Sequence, residues 1–216
     1  VILHTAPQGS PEWHQARAGC ITGSMFATAR EKLKVGPNKG DYTTAAKDYA
    51  FRLAFERISG QPLDEGFETW AMKRGHELEP AARAEHEVAI GVLVQPVGFV
   101  TTDDGKFGAS ADGFIGTDGG AEYKCLVSPE RLRSVILTGD LSEFTDQMQG
   151  GMWITGRKWW DFGLYCPALA PIGRQFTHYR MMRDDNYIDA LELDLIAFER
   201  LVSENEAALR NFKEAA

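Results

Sequence analysis

Apolar positions along the chain change period several times, and each change marks an element. Between Thr43 and Ser59, Ala50, Leu53, Ala54 and Ile58 fall three and four residues apart. That is the spacing of one helical face, and Gly60 supplies a stop. "SPEWHQARAG" predicts a short earlier helix: Ser10 can cap it, Pro11 suits its first turn and Gly19 its end. "ITGSMFATAREK" predicts a second helix, entered through Thr22-Gly23-Ser24, and Val35 to Asp41 reads as a loop by its glycines and proline. Trp70 to Ala89 is helical in pattern, yet Pro80 lies inside it. An interior proline costs about 3 kcal/mol, which predicts a kink or a restart there.

The pattern then shortens. Val92 to Thr102, Lys106 to Ala109, Phe114 to Thr117 and Ala121 to Leu126 predict strands, with "TDGG" at Thr117 to Gly120 as a hairpin turn. Ser128-Pro129-Glu130 opens a helix to about Leu137, and Glu143 to Thr155 is another. "KWWDFGLYC" and "QFTHYRMMR" alternate as aromatic strands, and Asp185 to Lys213 closes the chain as a helix. Helices, a meander of strands, then helices between later strands predict an α/β fold, a central mixed β-sheet flanked by helices. No repeat or linker-like run interrupts it, so residues 1–216 read as a single domain.

Composition is that of a globular protein, 44% hydrophobic and 25% charged. The net charge of −8 argues against a general nucleic-acid coat protein, whose affinity comes from lysine and arginine on phosphates. It leaves room for an enzyme that holds DNA in a locally basic groove. Cys20, Cys125 and Cys166 are far apart, which excludes a Cys-x-x-Cys zinc site and points to a reducing compartment. The first twenty residues hold Pro7, Glu12, His14 and Arg17, no signal-peptide core, and the longest uncharged run, Val88 to Thr102, is too short to span a bilayer. A cytoplasmic protein is expected. The chain starts at Val1 instead of Met, so one or more preceding residues are expected too.

The candidate chemistry sits in "FGASADGFIGTDGGAEYKC". Residues two apart on a strand share a face, about 6.6 Å apart along the chain. Glu122 and Lys124 therefore look one way and Tyr123 the other. Asp112 enters the preceding strand, and pairing of the two strands can bring its carboxylate toward Glu122. Two carboxylates bind Mg²⁺ through hard oxygens, and a lysine beside them can hold or deprotonate a water or stabilise a pentacoordinate phosphate. A salt-bridged hairpin, Lys124 pairing with Glu122 or Asp112, explains the same short pattern. Residues and spacing alone leave both readings open.

The neighbouring blocks break the tie. This stretch resembles the PD-(D/E)-x-K nucleases, with "SAD" for the usual "PD" and "EYK" as the E-x-K. "EWHQARAGCITGS" (Glu12 to Ser24), "RGHELEPAAR" (Arg74 to Arg83) and "QMQGGMW" (Gln147 to Trp153) are similar, in order, to blocks of the bacteriophage lambda exonuclease or YqaJ viral recombinase family. Together the blocks cover roughly Glu12 to Cys166. The resemblance implies a restriction-endonuclease-like core. It implies Asp112 and Glu122 as metal ligands, the Tyr123 backbone carbonyl completing the set, and Lys124 orienting or activating the nucleophilic water. Glu79 would be a further ligand or hold a water of the metal, which gives Pro80 a role in aiming it. Arg17, Ser24, Ser110 and Gln149 match positions around the terminal 5′-phosphate or the scissile phosphate, and a guanidinium fork with neutral donors suits phosphate. Ala111 stands where many members have proline, and Arg74 where the lambda enzyme has an aromatic.

The family further implies a Mg²⁺-dependent exonuclease, with Mn²⁺ substituting. It would digest one strand of double-stranded DNA from 5′-phosphorylated ends, 5′ to 3′, releasing 5′-mononucleotides and leaving 3′ overhangs for phage-type recombination. A homotrimeric ring, a single-strand annealing partner and the host bacterial cytoplasm go with that reading. The nearest rival keeps the fold and makes the chain an endonuclease or repair nuclease. Others are a DNA-end-binding module without chemistry and a glycosidase using Asp112 and Glu122 as an acid/base pair.

The remaining tempting residues read as structural. His14 braces its block. His76 is expected to be exposed, and His86 is out of register for sharing a metal with Glu79. His4 and His178 are isolated in sequence, one of Trp159 and Trp160 is core, and Cys125 is expected to be buried.

Overall fold

The computed structural model describes residues 1–63 and 69–212; Lys213, the last residue of the expected closing helix, lies outside them. In chain order the regular elements are β1 (Ile2–His4), α1 (Pro11–Arg17), β2 (Ile21–Thr22), α2 (Phe26–Arg30), α3 (Thr44–Ser59) and α4 (Trp70–Ile90). Then come β3 (Phe99–Thr101), β4 (Phe107–Ala109), β5 (Gly113–Ile115), β6 (Gly119–Lys124), α5 (Pro129–Arg133) and α6 (Thr145–Thr155). The chain ends with β7 (Trp159–Tyr165), β8 (Phe176–Met182) and α7 (Asp185–Arg210). The fold is a mixed α/β one with two mixed sheets flanked by helices. Among the described residues no helix is long and apolar enough to cross a membrane.

These elements form two compact units. One draws its described residues from 1–63, 98–110 and 184–212, the other from 69–97 and 111–183.

In the first unit the sheet runs β1-β3-β4-β2, parallel only between β2 and β4. α3 packs on α7, with Tyr49 stacked on Phe198 at 5.6 Å between ring centroids. α1 begins as its residues dictate: Ser10 Oγ accepts from the Trp13 N–H at 3.2 Å, with Pro11 in the first turn. The turn after it needs Gly19. Its φ is +72°, and a Cβ there would lie 2.6 Å from Arg57 Cγ. The peptide is gripped at both ends, its N–H donating to Glu56 Oε2 and its carbonyl accepting from Arg57 Nε, each at 2.8 Å. Arg57 in turn forks onto Glu199 of α7. The expected second helix starts later than Ile21, because Ile21 and Thr22 pair with Phe107 and Gly108 as a strand and Gly23–Met25 turn as a 3₁₀ helix.

The second unit has the sheet β5-β6-β7-β8, parallel only between β6 and β7. α4 covers one face, where Ala82, Val94, Ile115, Ala121 and Tyr123 form a core cluster. α6 covers the other, with Met148, Met152, Trp160, Phe162 and Leu164. α4 carries Pro80 without the restart its sequence predicts; its sheet-side residues Ala82 and His86 are fully buried. The strand expected over Val92 to Thr102 shrinks to Phe99–Thr101, since Gln95 bridges Phe114 instead and Pro96 has no N–H to give.

The β5–β6 hairpin forms, but its turn is Gly116 to Asp118, and Gly119 and Gly120 already lie in β6. They are needed for space. A Cβ on Gly119 would come within 2.2 Å of the Trp159 ring, and one on Gly120 within 2.4 Å of the buried Trp160 ring. Gly151 of α6 approaches the other side of that indole. Gly120→Ala should therefore cost about 1–3 kcal/mol by overpacking, seen as a lower urea midpoint at unchanged slope. An unchanged midpoint would show that the indole has room to yield.

Candidate metal centre

Alternation along β6 divides its side chains between the two faces of the sheet. Tyr123 joins the apolar cluster under α4, while Glu122, only 4% exposed, reaches Gln147 of α6. Asp112 stands just before β5. Its N–H donates to the Ala121 carbonyl at 3.0 Å, and its Oδ2 accepts from the Tyr123 N–H at 2.5 Å. The expected strand pairing thus brings Asp112 to Glu122.

Glu79 arrives from α4. Its Oε1 accepts from Arg83 one turn on, and the same guanidinium donates to the Asp112 carbonyl at 3.2 Å. Arg74, further back on α4, holds the Cys125 carbonyl at 3.0 Å. The two arginines thus tie α4 to both ends of the hairpin that carries the acids. The charges of Glu122 and Glu79 bear on Asp112, and that of Glu122 bears on Glu79. Burial, then the charges of Glu122 and Glu79, push the Asp112 carboxyl well above its ordinary range, against the pull of Lys124 and the Tyr123 N–H. Glu79 is raised too, by burial first, with Arg83 opposing and Glu122 adding to it. Lys124 Nζ sits 2.6 Å from Glu122 Oε1. Burial lowers its ammonium, but Glu122 and Asp112 more than offset that, so it stays above its usual value.

A salt-bridged hairpin accounts for Lys124 and Glu122 but not for the company they keep. Three carboxylates converge here on Lys124 and Arg83, and such crowding is costly unless a cation answers it. Hard oxygen donors of this kind suit a divalent ion such as Mg²⁺. In donor chemistry these carboxylates suit the divalent ion that the family resemblance implies.

Gln147 is the residue that sequence reading missed. Its Nε2 donates to Glu122 Oε1 at 2.7 Å, and its Oε1 lies 3.3 Å from Lys124 Nζ. Gln149, chosen from the same block, is buried, with its amide donating to the Met182 carbonyl at 3.0 Å. Two residues on a helix lie about 200° apart, so only one of the pair could face the acids. The signal was the Gln-x-Gln spacing itself.

The other phosphate candidates are in the first unit. Ser110 Oγ accepts from both Trp13 Nε1 at 3.1 Å and Arg17 at 3.3 Å, and the Arg17 guanidinium lies 4.1 Å over the Trp13 ring. Ser24 is exposed on the 3₁₀ turn before α2.

Among the histidines, His76 is exposed as expected. His86 is seven residues from Glu79, two turns and about 10.5 Å along α4, so both look to the sheet but at different levels. His178 is not isolated: its ring lies 5.2 Å from that of His86, and with Asp161 they offer ligand atoms within 4.8 Å of one another. Both oxygens of Asp161 accept from Arg180, however, and both nitrogens of His86 have partners. Asp161 and His86 are thus satisfied by these partners more than they are open as ligands. Cys125 is half-buried, not fully, and burial pushes its thiol up to about 11.

Residues 12–158 match the YqaJ-like viral recombinase domain. The chain belongs to this family. Its fold is accordingly of the restriction-endonuclease-like kind. The YqaJ-like chain is also similar to a solved alkaline exonuclease, LHK-Exo from Laribacter hongkongensis. That likeness is 32% identity over 93% of this chain and 97% of the other, with a TM-score of 0.78. A structure of LHK-Exo in complex with dAMP gives the same identity and coverage, with a TM-score of 0.80. A phage-related exonuclease from Haemophilus somnus 129PT shares the fold at 16% identity, over 88% of this chain and 96% of that one, with a TM-score of 0.67. No curated protein sequence matches.

Crowded acids predict a trade of stability for function. Asp112→Asn keeps an oxygen for the Tyr123 N–H and removes a repelled charge. In chelator the variant should be more stable than the parent by about 1 kcal/mol, and Mg²⁺ should raise the parent's melting temperature but not the variant's. A variant less stable than the parent in chelator would contradict the repulsion.

Proposed function

We propose that this YqaJ-like protein is a Mg²⁺-dependent exonuclease acting on the ends of double-stranded DNA, with residues 1–216 working as a single nuclease domain. It digests one strand 5′ to 3′, releases 5′-mononucleotides and leaves 3′ overhangs for recombination in the bacterial cytoplasm. The observation that carries the reading is the convergence of Glu79, Asp112 and Glu122 beside Lys124 in a chain of this family. The likeness to an alkaline exonuclease, and to its complex with dAMP, supports both the activity and a mononucleotide product.

Asp112, Glu122 and the Tyr123 carbonyl would hold the metal, with Glu79 beside them. When bound, Mg²⁺ neutralises phosphate charge and acidifies a water, and Mn²⁺ can do the same. The chain's own groups do the rest. Lys124 Nζ, steadied by Glu122 and Gln147, donates to the attacking water or to a phosphate oxygen. The water's oxygen joins phosphorus, the bond from phosphorus to the 3′-oxygen breaks, and that oxygen leaves with a proton. Each cut leaves a 5′-phosphate on the remaining strand. Arg17, Ser24 and Ser110 bind that phosphate; Arg17 is held in place over the Trp13 ring and by its bond to Ser110 Oγ. Gln149, whose amide donates to the Met182 carbonyl, is the fourth residue that the family resemblance assigns to that phosphate, and Gln147 is the glutamine that reaches Glu122 and Lys124. A homotrimeric ring, as the family resemblance implies, would let an acidic chain hold DNA through a basic channel. Light scattering that finds only monomer would remove the ring.

The test is digestion of linear duplex labelled at either end. Label at the 5′ end should appear as mononucleotide with Mg²⁺ and not with chelator, while covalently closed circles stay intact. Lys124→Ala should lower the rate by 10²-fold or more, on the order of a lost transition-state donor. Arg17→Ala should erase a preference for 5′-phosphorylated over 5′-hydroxyl ends. Cleavage of circles would make the protein an endonuclease. Near-parental turnover in Lys124→Ala would remove Lys124 from the chemistry.

A further inference from the structure

Behind the carboxylates, on the α4 face of the sheet, runs a buried series of hydrogen bonds that the proposed chemistry does not use. The Tyr123 ring packs on Gly163, where a Cβ would meet it at 2.6 Å. Its hydroxyl lies 2.9 Å from His86 Nδ1. His86 Nε2 lies 3.2 Å from Asp161 Oδ2. Arg180 forks onto both oxygens of Asp161 at 2.8 and 2.9 Å, and its guanidinium rests 3.6 Å over the Trp159 ring. The His86 and Asp161 side chains have no exposed surface.

With a neutral His86 imidazole one arrangement satisfies every partner. Arg180 and His86 hold the Asp161 carboxyl below its ordinary range despite burial, so it is an acceptor. His86 must then donate from Nε2, which leaves Nδ1 to accept the phenol proton. Every group is satisfied, so the network fixes the rotation of the Tyr123 ring. A phenylalanine would fill the same apolar space. What the hydroxyl adds is the tie to His86.

Tyr123 is also tied in front, where its N–H donates to Asp112 Oδ2. That bond matters because Glu122 and Glu79 repel the Asp112 carboxylate. We propose that Arg180, Asp161, His86 and the Tyr123 hydroxyl form a positioning relay that fixes the Tyr123 peptide and, through it, sets the Asp112 carboxylate for the metal. The inference rests on the metal reading above. None of the four side chains is a catalytic residue in it.

The relay is tested by calorimetric titration of Mn²⁺ into the full chain and its Tyr123→Phe, His86→Gln and Asp112→Ala variants. Tyr123→Phe is the informative one, since it removes a single oxygen and should fold. It should weaken Mn²⁺ binding about tenfold, the lower end of what outer-sphere partners of metal ligands contribute. The Mg²⁺ needed for half-maximal rate should rise by a similar factor, and the rate at saturating Mg²⁺ should return to within about threefold of the parent's. Tyr123→Phe combined with His86→Gln should bind no more weakly than the worse single variant, because both cut one path. Unchanged Mn²⁺ affinity in Tyr123→Phe, whatever its melting temperature, overturns the relay; loss of binding in Asp112→Ala would then still uphold the metal site. Full binding in Asp112→Ala overturns both.

Discussion

Three carboxylates brought together out of water repel one another, and much of the second unit is arranged around that cost. Asp112 is held by the Tyr123 N–H, Glu79 by Arg83, and Glu122 by Lys124 and Gln147. These ties come from α4, β6 and α6, so α4, the β5–β6 hairpin and α6 must all be in place before the acids can meet. The burial that makes the cluster expensive also strengthens its pull on a divalent cation, because little water is there to screen it.

The hairpin meets this demand through its glycines. Gly119 and Gly120 let the Trp159 and Trp160 rings lie against β6, and the Trp160 ring anchors α6, which brings Gln147 to Glu122. The opposite face is built differently. There a buried polar chain replaces simple apolar contact under Tyr123, which suggests that the register of that one residue is worth more than the easier packing of a phenylalanine. In the first unit a comparable grip is placed on the Gly19 peptide, held by consecutive residues of α3, between the helix carrying Arg17 and the turn carrying Ser24.

What the sequence made legible follows local rules. Ser10 caps its helix as expected, and Thr43 and Ser128 cap the helices expected to begin there, because a side-chain oxygen and a turn of apolar spacing are local signals. The meeting of Asp112 and Glu122 was legible for the same reason, since a hairpin and period-two alternation decide it. What was hidden depended on partners remote in the chain. "TDGG" looks like a turn, yet its glycines answer to Trp159 and Trp160 some forty residues on. Gln147 and Gln149 are equivalent by pattern, and only the seating of α6 separates them. His178 looked isolated because strand β8 alone brings it to His86 and Asp161.

In this reading the acids of α4, the entry to β5 and β6 together hold a divalent metal. Anomalous diffraction from crystals grown with Mn²⁺ tests it most directly. A manganese peak is expected at coordination distance, about 2.0–2.2 Å, from carboxylate oxygens of Asp112 and Glu122, with Glu79 in direct or one-water reach. A peak at His86 and His178 with none at Asp112, or Glu79 turned away into bulk solvent, would contradict it.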